Sequence, residues 1–358
     1  MTRILLGVAG EGFGHSSRAE LVCQRLLAAG HDVLIAASMR SLDYLSPLFP
    51  GRVEQVFGLS FAQKHGKILP VRTTLRNIAG YRAGFKLNRL LWKHLKSFQP
   101  QLVLSDFEPF TARWAKRNSV PCIAVDNEHL LTMCRLDGTD VGRKNRWLAK
   151  AVTRGYRIGA QAYIIPYFFN APVIHKKAQL APPLVRNAVL EIKPQEQPHL
   201  TVYSTYSDDG IKERLIETFC RFPEQSFFIY GFNDLPRQNN CTFKKISAGG
   251  FLNDLAKGRG VIANAGLSLI SECLYYKKRM LLVPVAAHFE QALNAHYIQR
   301  LGLGLSARSL NEQNVSTFLD SLEKACPDSP DILHPDNDRF FQILNQTATG
   351  LGLPLGLD

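Results

Sequence analysis

The 358-residue sequence contains no apolar run close to the roughly 20 residues that a membrane-spanning helix requires. The apolar stretch from Met1 to Gly10 is too short for a signal sequence, has no small-residue cleavage site and leads directly into a glycine-rich segment. We therefore expect a buried first strand at the N-terminus, and a protein of the cytoplasm that reaches membranes only from their surface.

Paired cysteines are also lacking. The seven cysteines are odd in number and widely spaced, and no Cys-x-x-Cys occurs. This pattern suggests neither a disulfide framework nor a cysteine zinc site, and it favours reduced thiols.

Acidic residues are scarce in the first half of the chain. Residues 1–190 hold 27 Lys and Arg against 11 Asp and Glu, whereas residues 191–358 hold 16 against 19. The net charge of +13 therefore comes entirely from the first half. This asymmetry predicts an anionic partner for that half.

Continuous apolar strands alternate with helical segments in both halves, which is typical of parallel sheets covered on both faces. Pro182, Pro183, Pro194 and Pro198, with polar residues among them, indicate a linker where the pattern restarts. We predict an α/β protein with two Rossmann-like parallel-sheet domains, 1–185 and 186–358, facing a central cleft, with the last helix free to cross back to the first domain.

A glycine-rich segment, Gly10-Glu11-Gly12-Phe13-Gly14-His15, follows the first strand. A dinucleotide fingerprint is disfavoured, because its third glycine position is His15 and the second strand lacks a terminal acidic residue. We expect His15 on this loop, at the predicted cleft, as a general base paired with Asp106 after a later strand. Glu108 is a weaker substitute for Asp106 in this pairing. Alternatively, His15 caps the helix or bonds a backbone carbonyl, and Asp106 is a helix N-cap.

The segment from Gly260 to Ala295 reads as strand, small-residue turn, helix, strand, proline loop and helix. The turn opens a helix whose amides can hold a phosphate, and Glu272, about one turn further on, can take two ribose hydroxyls. Glu290 and Gln291 open the next helix and can bond a sugar. The predicted donor-binding residues are Gly12, Gly14, Phe251, Asn264, Ala265, Gly266, Leu267, Ser268, Glu272, His288, Glu290 and Gln291.

These motifs resemble glycosyltransferases with the GT-B architecture, and in particular the glycosyltransferase family 28-like branch. That branch includes the bacterial lipid II-forming N-acetylglucosaminyltransferase and the plant galactolipid synthases. The resemblance is shown by Ala265-Gly266 through Ser271-Glu272, Glu290-Gln291 with Asn294-Ala295, the Gly-rich loop ending in His15, and Pro182-Pro183-Leu184-Val185-Arg186. The sequence departs from the family at Asn264, where relatives have His or Arg, and at Ser204-Thr205-Tyr206, where relatives often have glycines.

The resemblance implies an inverting transfer from a UDP-sugar by single displacement. His15 would take the acceptor proton, Asp106 would orient it, and helix amides at Gly266–Ser268 and Gly12–Gly14 would stabilise the leaving diphosphate. Phe251 would lie near the base. No metal and no cofactor are expected in this scheme.

Nine positive charges and no acidic residue lie between Glu54 and Asp106. Five of them repeat at helical spacing, with aromatic residues on a neighbouring face, which favours an interfacial helix on anionic lipid. A second basic stripe runs from Arg143 to Arg157. The predicted membrane or acceptor residues are Arg82, Lys86, Arg89, Trp92 and Lys93. Solvated basic faces or an anionic polysaccharide acceptor explain the same charges, whereas no nucleic-acid-reading motif is present.

These patterns predict a glycosyltransferase that moves a sugar to a lipid-linked or cell-envelope acceptor, peripheral on the inner face of the membrane. Its partners would be a nucleotide sugar, the acceptor and the anionic membrane. Two alternatives remain open: a nucleotide-sugar 2-epimerase on the same fold, and a non-catalytic basic surface-binding protein. A dehydrogenase is disfavoured by the fingerprint mismatch.

Overall fold

The structure is a computed structural model that describes residues 1–10, 12–58, 63–64, 67–68, 88–136, 143–156, 159–205, 209–232, 235–245, 247–286 and 288–357. At 63, 64, 67, 68, 143–145 and 248 it describes the backbone alone. The chain forms two compact units, one made of Met1–Leu184 with Asp336–Asp358 and the other of Val185–Pro335.

The strands of the first unit are β1 (Arg3–Val8), β2 (Asp32–Ala37), β3 (Val53–Gln55), β4 (Gln63–Lys64), β5 (Lys67–Ile68), β6 (Leu102–Asp106), β7 (Cys122–Val125), β8 (Ala162–Pro166) and β9 (Ala178–Ala181). Seven of them form one sheet in the order β3-β2-β1-β6-β7-β8-β9, and every pair is parallel. The short strands β4 and β5 pair separately and antiparallel.

Helices cover both faces of this sheet: α1 (Phe13–Ala28), α2 (Met39–Leu48), α3 (described over 88–98), α4 (Pro109–Arg117), α5 (Leu130–Met133) and α6 (Arg143–Tyr156). Helix α4 lies close against β1. A Cβ atom on Gly7 would clash with the Thr111 side chain of α4, so this contact requires glycine.

The second unit contains α7 (Asn187–Glu191), β10 (Gln197–Tyr203), α8 (Asp209–Phe219), β11 (Ser226–Tyr230), β12 (Cys241–Lys244), α9 (Ala248–Lys257), β13 (Gly258–Ala263), α10 (Leu267–Tyr275), β14 (Arg279–Leu282), α11 (Phe289–Arg300), β15 (Gly304–Ser306) and α12 (Glu312–Ser321). Its six strands form a parallel sheet in the order β12-β11-β10-β13-β14-β15.

The last helix, α13 (Asn337–Thr349), belongs to the first unit and packs on β8 and β9. Phe340, Leu344, Leu355 and Leu357 are buried in the same apolar core as strands β1 and β2. His31 fixes the tail, because its Nε2 donates to the carbonyl of Leu355 at 2.7 Å while its Nδ1 accepts from the Thr2 amide.

Both sheets reverse their strand order at one point, between β1 and β6 in the first and between β10 and β13 in the second. Loops on the two sides of such a switch point diverge and leave a crevice at the carboxyl ends of the strands, which is where ligands bind in open α/β sheets. In the first sheet, His15 comes after β1 and Asp106 is the last residue of β6. In the second sheet, Asn264 and Gly266 come directly after β13. In the described part of the chain, no helix is both long enough and apolar enough to span a bilayer.

Candidate active site

Helix α1 begins at Phe13, immediately after Gly12, which has a φ of 95°. The sequence analysis expected His15 on a loop, and that expectation was wrong. One left-handed glycine is enough to turn the chain, and Gly14 is tolerated in a first turn whose amides lack partners within the helix. His15 therefore projects from the first turn of α1.

His15 and Asp106 are in direct contact. Asp106 is the last residue of β6, and its Oδ1 lies 2.8 Å from His15 Nδ1. Arg18, one turn further along α1, donates from Nε to Asp106 Oδ2 at 2.8 Å and from Nη2 to Oδ1 at 2.6 Å. The Asp106 carboxylate thus fixes both the imidazole and the guanidinium.

The other imidazole nitrogen of His15 faces a second carboxylate. Glu128, in the loop after β7, places Oε1 3.4 Å from His15 Nε2. Burial alone would lower the pKa of His15, but the charges of Asp106 and Glu128 raise it to about 10. The pKa of Asp106 is held below its usual range, because Arg18 and His15 outweigh the effect of burial.

Glu108 has a different task from the one the sequence analysis considered. Its carboxylate caps α4, since Oε1 accepts from the Phe110 amide at 2.9 Å and Oε2 from the Thr111 amide at 2.7 Å. Asp106 is therefore not the cap of this helix. Phe107 lies between the two acids with a φ of 52°, and this left-handed residue turns Asp106 and Glu108 in different directions.

Sequence reasoning missed Arg18, Asn127 and Glu128. Arg18 Nη1 donates to Asn127 Oδ1 at 3.1 Å, so the cluster joins α1, β6 and the loop after β7. The signal was present, because Asp126, Asn127 and Glu128 directly follow the apolar strand Cys122–Val125, just as Asp106 follows its own strand. The carboxyl ends of adjacent parallel strands lie at the same edge of a sheet.

In the second unit, Asn264 is a structural link rather than an open position. Its Oδ1 accepts from the Thr205 amide at 2.8 Å and its Nδ2 donates to the Val283 carbonyl at 2.8 Å, which ties together the ends of β10, β13 and β14. Asn294 of α11 donates to the Ala265 carbonyl at 2.9 Å and fixes the same turn.

The turn leads into α10, whose N-cap is Gly266 and which has no side-chain cap bond. Ala265 is buried, whereas Gly266, Leu267 and Ser268 are partly exposed, so the first-turn amides of α10 are near the surface of this unit. Such amides attract anions. Glu272, in the same helix, is buried and bound by Arg186, whose Nη2 lies 2.6 Å from Oε1.

Two of the predicted donor-binding residues, Gln291 and His288, instead make hydrogen bonds within the proline loop after β14 and at the start of α11. Gln291 Oε1 accepts from the Val285 amide at 2.9 Å, and His288 caps α11 by accepting from the Gln291 amide. Glu290 lies in the first turn of α11 and is partly exposed. Phe251 is 9% exposed and packs edge-on against Tyr203 and Tyr230, so it is part of the core beneath the sheet end.

The basic stripes lie only partly within the described residues. Arg82 and Lys86 are outside them, while Arg89 and Lys93 are exposed on α3. Trp92 packs edge-on against Phe110 and Trp114 of α4, so its ring contributes to the contact between these helices.

Helix α6 presents Arg146, Lys150 and Arg154 beside Trp147, which is 70% exposed, and Leu148, which is 50% exposed. Partial burial and the two neighbouring arginines lower the pKa of Lys150. The positive charges of α6 are therefore concentrated enough to repel one another.

No group of three or more His, Cys, Asp or Glu suited to a metal ion occurs among the residues that the structure describes. The segment Asp336-Asn337-Asp338 opens α13, where Asp336 caps the helix by accepting from the Arg339 amide at 2.9 Å. The paired acids there contribute to helix structure.

Two parallel α/β units of this topology are the GT-B fold of glycosyltransferases. The family model described as glycosyl transferase family 1 matches residues 2–323, and the chain belongs to this family. A curated relative from Methanosarcina acetivorans, an uncharacterized glycosyltransferase, is 26% identical over 330 residues, which cover 84% of this chain and 82% of that protein.

Solved structures have the same fold. MurG of Acinetobacter baumannii is 13% identical with a TM-score of 0.61, and the match covers 98% of this chain and 100% of MurG. The glycosyltransferase VinC, solved in complex with dTDP, is 14% identical with a TM-score of 0.57 and a match covering 90% and 91% of the two chains. The expected GT-B fold is confirmed, and the activity of the protein is glycosyl transfer.

Proposed function

We propose that the protein transfers a sugar from a UDP-sugar, with inversion, to an anionic lipid-linked or cell-envelope acceptor at the cytoplasmic surface of the membrane. It would act like the glycosyltransferase family 28-like branch, which includes the lipid II-forming N-acetylglucosaminyltransferase and the galactolipid synthases. No metal ion and no organic cofactor would be needed.

The observation that supports this proposal most strongly is the contact between His15 and Asp106 at the switch point of the first sheet. An imidazole held at Nδ1 by a carboxylate has a fixed orientation and a stabilised protonated form, as a general base requires. Its Nε2 would face the acceptor hydroxyl. Arg18 keeps the carboxylate ionised and in place.

The donor is proposed to bind to the second unit. The diphosphate would accept hydrogen bonds from the first-turn amides of α10, at Gly266, Leu267 and Ser268. Glu272 would hold the ribose through its carboxylate, which Arg186 binds at Oε1. VinC, which has the same fold, was solved with dTDP, a nucleoside diphosphate.

The acceptor is proposed to be anionic because a basic helix adjoins the dyad. Tyr156, at the end of α6, stacks on Phe107 with ring centroids 4.4 Å apart, and Phe107 directly follows Asp106. Helix α6 is therefore attached to the turn that presents the catalytic carboxylate. Its arginines and the exposed Trp147 suit a phosphate-bearing headgroup next to an apolar tail.

In the proposed reaction the acceptor oxygen attacks the anomeric carbon while the bond from that carbon to the diphosphate oxygen breaks. The electron pair leaves with the diphosphate, which the α10 amides stabilise. The hydroxyl proton passes to His15 Nε2. Attack from the face opposite the leaving group gives inversion.

The test is a donor screen with purified protein, in which UDP-, dTDP- and GDP-sugars are incubated with and without a membrane lipid extract. We expect lipid-dependent release of UDP from one UDP-sugar and its loss in His15→Ala. His334→Ala, at an exposed histidine of the second unit, is the matched control. Release from a dTDP-sugar, release unaffected by lipid, or conversion of UDP-N-acetylglucosamine to its epimer would each contradict the proposal.

A further inference from the structure

Glu128 occupies the side of His15 that a base must leave open. The imidazole lies between two carboxylates, with Asp106 2.8 Å from Nδ1 and Glu128 3.4 Å from Nε2. A base takes a proton through the lone pair of Nε2, and a carboxylate facing this nitrogen favours a proton there instead. The resting arrangement is thus that of an imidazolium.

The position of Glu128 is built into the fold. Glu128 follows β7, the strand next to β6, and its side chain is only 17% exposed. Asn127 Nδ2 lies 3.4 Å from Glu128 Oε1, and Asn127 is itself bound by Arg18. Glu128 Oε2 is buried and has no hydrogen-bond partner among the described residues. An unsatisfied buried carboxylate oxygen is costly, so this side chain gains from a new partner or from moving.

The carboxylates around His15 favour its protonated form, whereas the Arg18 guanidinium, whose Nη2 lies 3.2 Å from His15 Nδ1, opposes it. The neighbouring charged groups in the described chain are Asp106 on β6, Arg18 on α1, Glu128 after β7, and Asp126, which faces His129 at 2.7 Å. Two nearby carboxylates, Asp106 and Glu128, share one guanidinium, and a protonated His15 supplies the second positive charge. The pKa of Glu128 is held below its usual range, chiefly by His15, despite its burial.

We propose that Glu128 is a positioning residue that keeps His15 protonated at rest, and that the nucleophilic hydroxyl of the acceptor must take the place of Glu128 at Nε2 to release the base. This inference rests on the proposed function and deepens it. Binding of the acceptor would convert His15 into an active base. Without acceptor, His15 would stay protonated and could not deprotonate a water molecule for hydrolysis of the donor sugar.

The protons balance in this sequence. As the acceptor enters, the Nε2 proton passes to Glu128, which turns away and releases it to solvent. His15, now neutral, takes the hydroxyl proton during attack and becomes imidazolium again. Departure of the product lets the ionised Glu128 return, so each turnover releases one proton to solvent.

The first test uses Glu128→Gln, which keeps the size of the side chain and removes its charge. The His15 signal is followed by NMR in a pH titration without substrates and is assigned by its absence in His15→Gln. We expect a midpoint near 10 in the wild type, and a fall of about one pH unit or more in Glu128→Gln. Glu20→Gln is the control, because Glu20 lies on α1 like His15 but accepts a hydrogen bond from the Tyr44 hydroxyl. An unchanged midpoint in Glu128→Gln overturns the inference.

The second test is the pH dependence of transfer. kcat/KM for the acceptor reports the free enzyme and kcat reports the complex. In the wild type we expect the acid limb of the kcat/KM profile to lie at higher pH than the acid limb of the kcat profile, because Glu128 faces His15 only in the free enzyme. In Glu128→Gln we expect the two acid limbs to lie at the same pH. A uniform loss of activity with unmoved limbs means a merely structural role and refutes the inference. If no donor is turned over at all, the proposed function fails while the NMR titration still decides on Glu128.

Discussion

Arg186 binds a single oxygen of Glu272 twice, with Nε 2.8 Å and Nη2 2.6 Å from Oε1. Arg186 is the N-cap of α7, directly after the boundary between the two units, and Glu272 lies in α10. Burial raises the pKa of Glu272 and the guanidinium opposes that rise. Arg186 thus provides a countercharge for a buried carboxylate where the ribose is proposed to bind.

Glu272→Gln is expected to weaken UDP binding about 10- to 100-fold, because a hydrogen bond to a charged group contributes about 1.5–3 kcal/mol. Isothermal titration calorimetry with UDP and dTDP measures the effect. The loss is expected to be larger for UDP, whose ribose has the 2′-hydroxyl that dTDP lacks. Glu213→Gln, at an exposed glutamate of α8, is the control. Equal losses for UDP and dTDP would mean that Glu272 does not contact this hydroxyl.

Asp106→Asn is expected to destabilise the protein by about 3–5 kcal/mol, because removal of one partner leaves the buried charge of Arg18 uncompensated. The change in unfolding free energy is measured by urea denaturation. Asp32→Asn is the matched control. It breaks a half-exposed pair with Arg52 at 2.6 Å and is expected to cost about 0–1 kcal/mol. Comparable costs for both variants would show that burial of the Asp106 cluster contributes little.

Alkaline pH is expected to weaken the fold through His15. Its pKa rises from 6.5 in the unfolded chain to about 10 in the folded protein. The native state therefore binds more protons than the unfolded state between these values, and stability present below 6.5 is lost as pH rises toward 10. Urea denaturation at several pH values is expected to show a decline of roughly 1–4 kcal/mol that His15→Gln lacks. An equal loss of stability with rising pH in the wild type and in His15→Gln would mean that groups other than His15 cause the loss.

Helix α6 is expected to bind anionic membranes. Replacement of Arg146, Lys150 and Arg154 by Gln removes three charges, each worth about 1 kcal/mol near an anionic surface, so binding falls on the order of 100-fold. Co-sedimentation with phosphatidylglycerol vesicles measures it, with phosphatidylcholine vesicles for comparison. The control replaces three exposed basic residues of the second unit, Arg214, Arg308 and Lys324. An equal loss in the control would indicate a general charge effect.

Much of the fold follows from apolar periodicity. Residues 33–37 of the strand Asp32–Ala37 and the strand Cys122–Val125 can be recognised in the sequence, because strands buried on both faces are apolar without interruption. The edge strand Val53–Gln55 was missed, since only one of its residues is apolar and its pairing with β2 is a tertiary effect. The start of α1 was missed because glycine content does not reveal which glycine adopts a positive φ.

The candidate site was predicted in part. His15 and Asp106 were recognised because each follows a predicted strand, and adjacency of the strands follows from the parallel-sheet rule. The bonds of Asn264 to Thr205 and Val283 were not predictable, because they depend on three strand ends that are far apart in sequence. The second carboxylate on His15 was missed, although its position after β7 placed it at the same sheet edge as Asp106.

The tail that His31 fixes has a consequence for biosynthesis. The core of the first unit includes Phe340 and Leu355, whereas the second unit is formed by the intervening Val185–Pro335. A ribosome therefore finishes the second unit before it has made the residues that complete the first. During translation the second unit is complete and ready to fold while the first unit still exposes part of its apolar interior.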